Sequence, residues 1–317
     1  MKLFRNFLSL AGAELVCKVL IFAAFARLAR ILGPENFGYV EWAGAVLLCA
    51  GLIVDQGFSQ YGAREIAKSP QRTESLISEI VGARFILAIV AYGIVAAVAF
   101  ALPQGQFVKN LLLLYGVSLF ALPLILSWVF QGNDKMQTVA VIQLIRQAIF
   151  AVIVLVFIQN SNQLWYIAIA EILSVSIAAG YSIWTTKRVF SLPLKVNFKI
   201  SEQLFREGIP IGLSQMFWVV KIFGATLIVG LVATAEDTGY FAGAMRIFIA
   251  LHTFVWLYFF NLLPSMSRTW EQGGDKFSEL IKNSFRIVIP LSLLGGIIWI
   301  LFAPLAMTIV YGQNFAS

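Results

Sequence analysis

Apolar runs of about 20 residues, the length a helix needs to cross a hydrocarbon core of about 30 Å, recur along the whole chain. Nine are read, at 8–29, 39–58, 81–102, 109–130, 139–158, 163–185, 208–231, 240–263 and 285–310. Strands of a membrane barrel would alternate lipid-facing and lumen-facing residues over about 10 positions. "LLLLYGVSLFALPLILSWVF" (111–130) does not alternate. A soluble domain carries roughly 25% charged residues, whereas this chain carries 12%, with 60% hydrophobic residues. The expected class is therefore an all-α polytopic membrane protein.

The amino-terminal "MKLFRN" and its apolar run ending in Ala24-Phe25-Ala26 have the outline of a secretory signal. Glu14 and Lys18 interrupt that run, and 8–29 is long enough to cross, so it is read as the first span. Cys17 and Cys49 both fall inside spans and suggest neither a disulfide framework nor a metal site.

With a cytoplasmic amino terminus, the inside segments hold Lys2, Arg5, Arg64, Lys68, Arg72, Lys135, Lys187, Arg188, Lys195, Lys199, Arg206, Arg268, Lys276 and Lys282. The outside segments hold Arg30 and Lys109, with Arg27 at the boundary. This is the positive-inside pattern. It accounts for the net charge of +7 through loops lying near anionic headgroups, without a nucleic-acid partner. The expected location is the cytoplasmic (inner) membrane. No glycine-rich phosphate loop, metal-ligand spacing or paired-aspartate loop occurs, so we expect no cofactor, no metal and no enzymatic activity.

The turn "ARILGPENFGYVEWAG" from Ala29 has a fainter copy, "GLVATAEDTGYFAGAM", from Gly230. A shift of 201 places Glu35 on Glu236, Gly38 on Gly239 and Tyr39 on Tyr240. A shift of 202 lays "RFILAIVAYGIVAAVAFALP" (84–103) on "RIVIPLSLLGGIIWILFAPL" (286–305), matching Arg84 to Arg286. Lys18 and Lys221 lie 203 apart, at similar depth in the first and seventh spans. A fixed period signals a repeated structural unit. The offset covers six spans, so both copies enter the membrane in the same direction, as in parallel-repeat transporters that bind substrate at the repeat interface. The expected division is a six-helix bundle at 1–190, a cytoplasmic linker at 191–207, and three helices of a second bundle at 208–317. Three more spans are expected in a complete protein, so the chain reads as a truncated product, or one completed by another chain.

A charge in hydrocarbon costs about 2.5–3.5 kcal/mol on insertion scales and must face protein or water. Six charges lie inside predicted spans: Glu14, Lys18, Arg146, Glu171, Lys221 and Arg246. Glu14 and Lys18, four apart, can pair on one helix face. Glu171 can pair with a basic residue or serve as a buried proton or cation site. The basic excess predicts a positively biased cavity suited to anions, with forked arginine donors suited to phosphate. Snorkelling is the alternative for Arg146 and Arg246, near the span ends. Asp55, in "DQGFSQYGARE", is expected to cap its helix or pair with Arg64.

"ARLARILGPENFGYV", "DQGFSQYGAREIAK", "FQGNDKM", "EDTGYFAGAMRI" and "LLPSMSR" together resemble the Wzx-type polysaccharide-export flippases. These belong to the multidrug/oligosaccharidyl-lipid/polysaccharide (MOP) exporter superfamily. The resemblance runs through essentially the whole chain and marks Gly33, Pro34, Glu35, Gly38, Asp55, Gly57 and Arg64 as motif residues. It implies two six-helix bundles around a central cavity, alternating access, and a polyprenyl-diphosphate-linked oligosaccharide as substrate. Lys18, Arg146, Lys221 and Arg246 are then the cavity cations, and Glu14 and Glu171 the candidates for coupling to a proton or Na+. Membrane lipids and the polysaccharide polymerase and chain-length machinery are the implied partners. A MATE-like cation-coupled antiporter, a membrane glycan polymerase or ligase, and an inactive fragment stay open as alternatives.

Overall fold

A computed structural model describes residues 2–101, 105–192, 195–271 and 273–315. The helices in chain order are α1 (Lys2–Asp55), α2 (Phe58–Lys68), α3 (Thr73–Ala101), α4 (Gln106–Gly116), α5 (Ser127–Gly132), α6 (Met136–Phe157), α7 (Trp165–Phe190), α8 (Glu202–Val232), α9 (Ala235–Glu271) and α10 (Gly274–Tyr311). No strand occurs among the described residues, and all nine expected spans fall mainly on these helices. Six described segments are long and apolar enough to cross a membrane: Pro70–Ala101, Gln106–Gly132, Met136–Phe157, Trp165–Phe190, Glu202–Val232 and Lys276–Tyr311. Large apolar side chains such as Ile89, Phe217 and Ile300 point outward from them, the arrangement of helices solvated by lipid tails rather than water.

The remaining expected spans lie on α9 and on α1, which bends inside its length. Gly33 sits at φ 71°, ψ 172°, followed by Pro34. Proline disfavours the α region for the residue before it, and glycine accepts the positive φ without a Cβ clash. The two halves of α1 therefore meet at the repeated junction. At the matching place in the second copy, α8 and α9 are separate helices. There Thr234 Oγ1 accepts from Asp237 N (3.1 Å) and Asp237 Oδ2 accepts from Thr234 N (3.3 Å), a reciprocal cap on the first turn of α9. The copies share a second detail. Tyr39 meets Phe107 edge-on (centroids 6.1 Å, 63°); Tyr240 meets Phe315 edge-on (5.6 Å, 80°).

By its internal contacts the chain forms two compact units, residues 1–238 and 239–317. In the first, α1 packs on α3, α6 and α8, α6 on α7, and α3 on α4. Phe25 of α1 stacks on Phe150 of α6 at 5.7 Å. A buried cluster of Phe58, Tyr61, Ile66, Leu76, Ile80, Leu126, Trp128 and Leu204 joins α2, α3, α5 and α8. So α8, the first helix of the second copy, is packed within the first unit. In the second unit Tyr311 Oη donates to Gly243 O (2.9 Å), tying α10 to α9. Both cysteines are unbridged.

Residues 195–201 are laid along α3 as a strap. Asn197 N donates to Ser78 O (2.9 Å), Ser201 N to Glu79 Oε1 (2.7 Å), and Lys195 pairs with Glu74 at 3.0 Å. The Asn197 carbonyl lies where a Cβ on Gly82 would stand. Gly82→Ala is therefore expected to lift the strap and cost about 1–3 kcal/mol by overpacking. Faster limited proteolysis between 191 and 201, with a lower unfolding temperature in detergent, checks this.

Candidate functional site

The motif beginning at Asp55 closes α1 with a sharp reversal. Gln56 has φ 43° and Gly57 φ 77°, so the chain turns through two left-handed residues before α2 starts. Gly57 also lies against α8: a Cβ there would stand 2.6 Å from Gly212 N and 2.7 Å from Gly208 O. Gly208 and Gly212 are four apart on one α8 face, so backbone meets backbone at this crossing. Phe58 packs edge-on against Phe205 at 5.9 Å, and Arg64 forms an ion pair with Glu207. Ser201 caps α8 by accepting from Leu204 N at 3.2 Å. The foot of α8 is thus held by the strap, by glycine contacts, by a ring pair and by an ion pair.

Asp55 does not pair with Arg64. Its partner is Arg84 of α3, at 3.4 Å, and it accepts from Ser59 Oγ at 2.5 Å. Arg64 lies on the exposed face of α2, within reach of Glu65 (3.3 Å) and Glu207. Arg84 is only 6% exposed. Its Nη1 donates to Ile125 O at 3.4 Å, while its Nε is buried without a hydrogen-bond partner among the described residues.

Ile125 belongs to an interruption in the span Gln106–Gly132. Between α4 and α5 the chain runs through two 3-10 turns, the second containing Pro123, then through non-helical Ile125 and Leu126. Backbone groups released inside a membrane must find partners within the protein. Here Arg84 serves the Ile125 carbonyl, and Ser182 Oγ of α7, fully buried, accepts from Leu126 N at 2.8 Å.

On α2, Glu65 gathers Lys68 (2.8 Å), Arg64 and Arg72 (3.7 Å). The hydrogen bond from Lys68 holds the Glu65 carboxyl below its ordinary 4.5, partial burial opposes that, and the Lys68 and Arg64 charges reinforce it. A carboxyl lowered by folding stabilises the fold above its unfolded value. That contribution is lost as pH falls below 4.5, through the depressed folded value. Glu65→Gln is expected to lower thermal stability at neutral pH and to flatten the acid side of a stability-versus-pH curve measured in detergent.

Four of the six span charges are paired within the first unit. Lys18 and Glu14 lie 3.3 Å apart, each about half exposed. Arg146 Nη2 of α6 donates to Glu171 Oε1 of α7 at 2.8 Å. Lys221 is exposed on α8 and takes part in no ion pair among the described residues. Arg246 is partly buried on α9, in the second unit. Gly33 and Pro34 make the bend, Gly38 is buried, and Glu35 accepts from Tyr39 Oη at 3.5 Å. Arg84, Ser182 and Glu207 were not among the expected site residues. Only Arg84 had left a signal, its repeat match to Arg286.

Comparison with known proteins adds to this geometry. The profile of a family described as "Polysaccharide biosynthesis protein" matches residues 3–270. The chain is 24% identical over 327 aligned positions to a protein named "Putative O-antigen transporter" from Escherichia coli (strain K12), across 98% of this chain and 76% of that one. A protein of the same name from Shigella dysenteriae is 24% identical over 166 positions, covering 50% of this chain and 40% of that one. Among solved structures, an inward-facing multidrug resistance MATE family transporter of the MOP superfamily superposes with TM-score 0.60 at 15% identity. It covers 94% of this chain and 74% of that one. A MATE protein in complex with MaD3S gives 0.56 at 16%, over 98% and 76%. At such identities the likeness is one of fold: a MATE-like, multi-pass helical membrane architecture.

Proposed function

The chain belongs to the polysaccharide biosynthesis protein family, and from that premise we propose that it is a flippase. It carries polyprenyl-diphosphate-linked oligosaccharide repeat units across the cytoplasmic membrane for assembly of O-antigen, capsule or exopolysaccharide. The family match over residues 3–270 is the observation that carries this reading. The transporter names of the two relatives support it, and support a carrier over an enzyme. The MATE likeness is one of fold and brings no drug substrate with it. The Asp55 end, with Arg64, Lys68, Arg72 and Arg206, faces the cytoplasm in this proposal, by the positive-inside pattern. A six-helix bundle at 1–190, a linker at 191–207 and the first three helices of a second bundle at 208–317 contribute to the transport frame in this proposal. Polymerase and chain-length proteins act on the delivered unit.

Lys221 carries the anion-binding part of the proposal, with Lys18, Arg146 and Arg246 as further cations. A hydrogen bond to a charged group is worth about 1.5–3 kcal/mol. Lys221→Glu is therefore expected to slow export about 10–100-fold while membrane abundance stays unchanged. Glu14 and Glu171 each already hold a basic neighbour, so a coupling proton or Na+ would compete with Lys18 or Arg146 for those oxygens. The test is complementation: in a bacterium lacking its own O-antigen flippase, the chain should restore long-chain surface polysaccharide. Accumulated lipid-linked units beside correctly inserted protein would overturn the reading.

A further inference from the structure

The second half of α1 and α8 run antiparallel, and their seam is fastened differently at its two ends. At the Asp55 end the ties are many and local. The strap at 195–201 is bonded to α3, and Ser201 caps α8. Gly208 and Gly212 receive the Gln56-Gly57 turn, and Phe205 and Glu207 hold Phe58 and Arg64. At the other end the seam runs through Trp42. Its indole is 3% exposed and covers the position a Cβ on Gly230 would need. Its Nε1 donates to Leu227 O at 3.3 Å. A helix anchored by several ties at its foot and seated at its far end on the Trp42 indole has a defined way to move. It swings about the foot, and the far end travels furthest.

We infer that Trp42 is a latch that opens and closes this seam. The foot of α8 at Ser201–Gly212 is the pivot, and the departure of the indole from Gly230 separates the Trp42 ends of α1 and α8. The indole suits this task. It is wide enough to cover a bare glycine while reaching the carbonyl three residues before it, to which it is fastened by one long hydrogen bond. Pro210 lies within the foot, where it removes one backbone hydrogen bond and gives the helix a site to bend. As a step of transport this inference rests on the flippase reading. As a motion it does not.

The test measures helix positions and needs no substrate. Spin labels are attached to the purified full chain in lipid nanodiscs, with Cys17 and Cys49 replaced by alanine. One pair, at Glu35→Cys and Ala233→Cys, spans the Trp42 end; another, at Gln60→Cys and Arg206→Cys, spans the foot. The expected result is two distances for the Trp42-end pair, with the longer gaining population in Trp42→Ala and, to a smaller extent, in Trp42→Phe. The foot pair should keep a single distance in every variant. Should Trp42→Ala fail to fold, Gly230→Ala pushes the indole from its seat and is expected to act in the same direction. A Trp42-end distance indifferent to all these substitutions would overturn the latch, and so would a foot pair that separates instead. Failure of surface-polysaccharide complementation with the two-distance behaviour intact would count against the flippase reading and leave the latch standing.

Discussion

Asp55→Ala is expected to be among the most damaging single substitutions in the first unit, costing about 3–5 kcal/mol, the range for stranding one partner of a buried ion pair. The residue left behind is Arg84, 6% exposed and otherwise tied by one hydrogen bond to Ile125 O. Removing the carboxylate leaves its charge in the interior without compensation. The rise in stability on removing both charges separates this explanation from simple loss of packing. A paired Asp55→Leu/Arg84→Met variant should recover most of the stability, because apolar replacement of a whole buried pair is often neutral or stabilising. Thermal unfolding of the detergent-purified proteins reads both. A single variant as stable as the parent would show that Arg84 is compensated by something other than Asp55.

Gly57→Ala is the second large effect. The new methyl group would stand 2.6 Å from Gly212 N and 2.8 Å from Ile211 Cβ, so the clash is partly with backbone. The residue would also keep a φ of 77°, a conformation costing an L-residue roughly 1–2 kcal/mol. With about 1–3 kcal/mol for overpacking, the combined loss should be visible as reduced accumulation in the membrane and a lower unfolding temperature. Gly44→Ala, at a helical position with open space around it, is the matched control and should be close to neutral. Equal behaviour of the two variants would mean that α8 does not press on the turn at Gly57.

The membrane-spanning helices were legible because hydropathy reports burial in lipid one segment at a time. The bend of α1 was legible at Gly33-Pro34, and the Glu14–Lys18 pair followed from a spacing of four on one helix. The partners of Asp55 and Glu171 were not, since both bonds cross between helices whose rotation depends on packing. Arg64 stood nearer to Asp55 in sequence than Arg84 did, but it occupies the outward face of α2. The seam at Trp42 and Gly230 was invisible for a similar reason. A tryptophan near a span end reads as an interfacial anchor, and nothing local says that a glycine of another helix will lie beneath it. The interruption at Ile125 and Leu126 hid inside an uninterrupted apolar run, where Pro123 was its one local sign.

That interruption also orders events during biogenesis. A nascent chain leaving the insertion machinery meets lipid with residues 106–132 as one apolar segment, marked at Pro123 but still without the later helix that serves its unwound backbone. The serine hydroxyl that receives the Leu126 amide belongs to Ser182 and is synthesised 56 residues later. The local unwinding therefore matures only after α7 has entered the bilayer. A chain arrested by the ribosome before Ser182 should hold this segment in a straighter, regular conformation than the finished protein does.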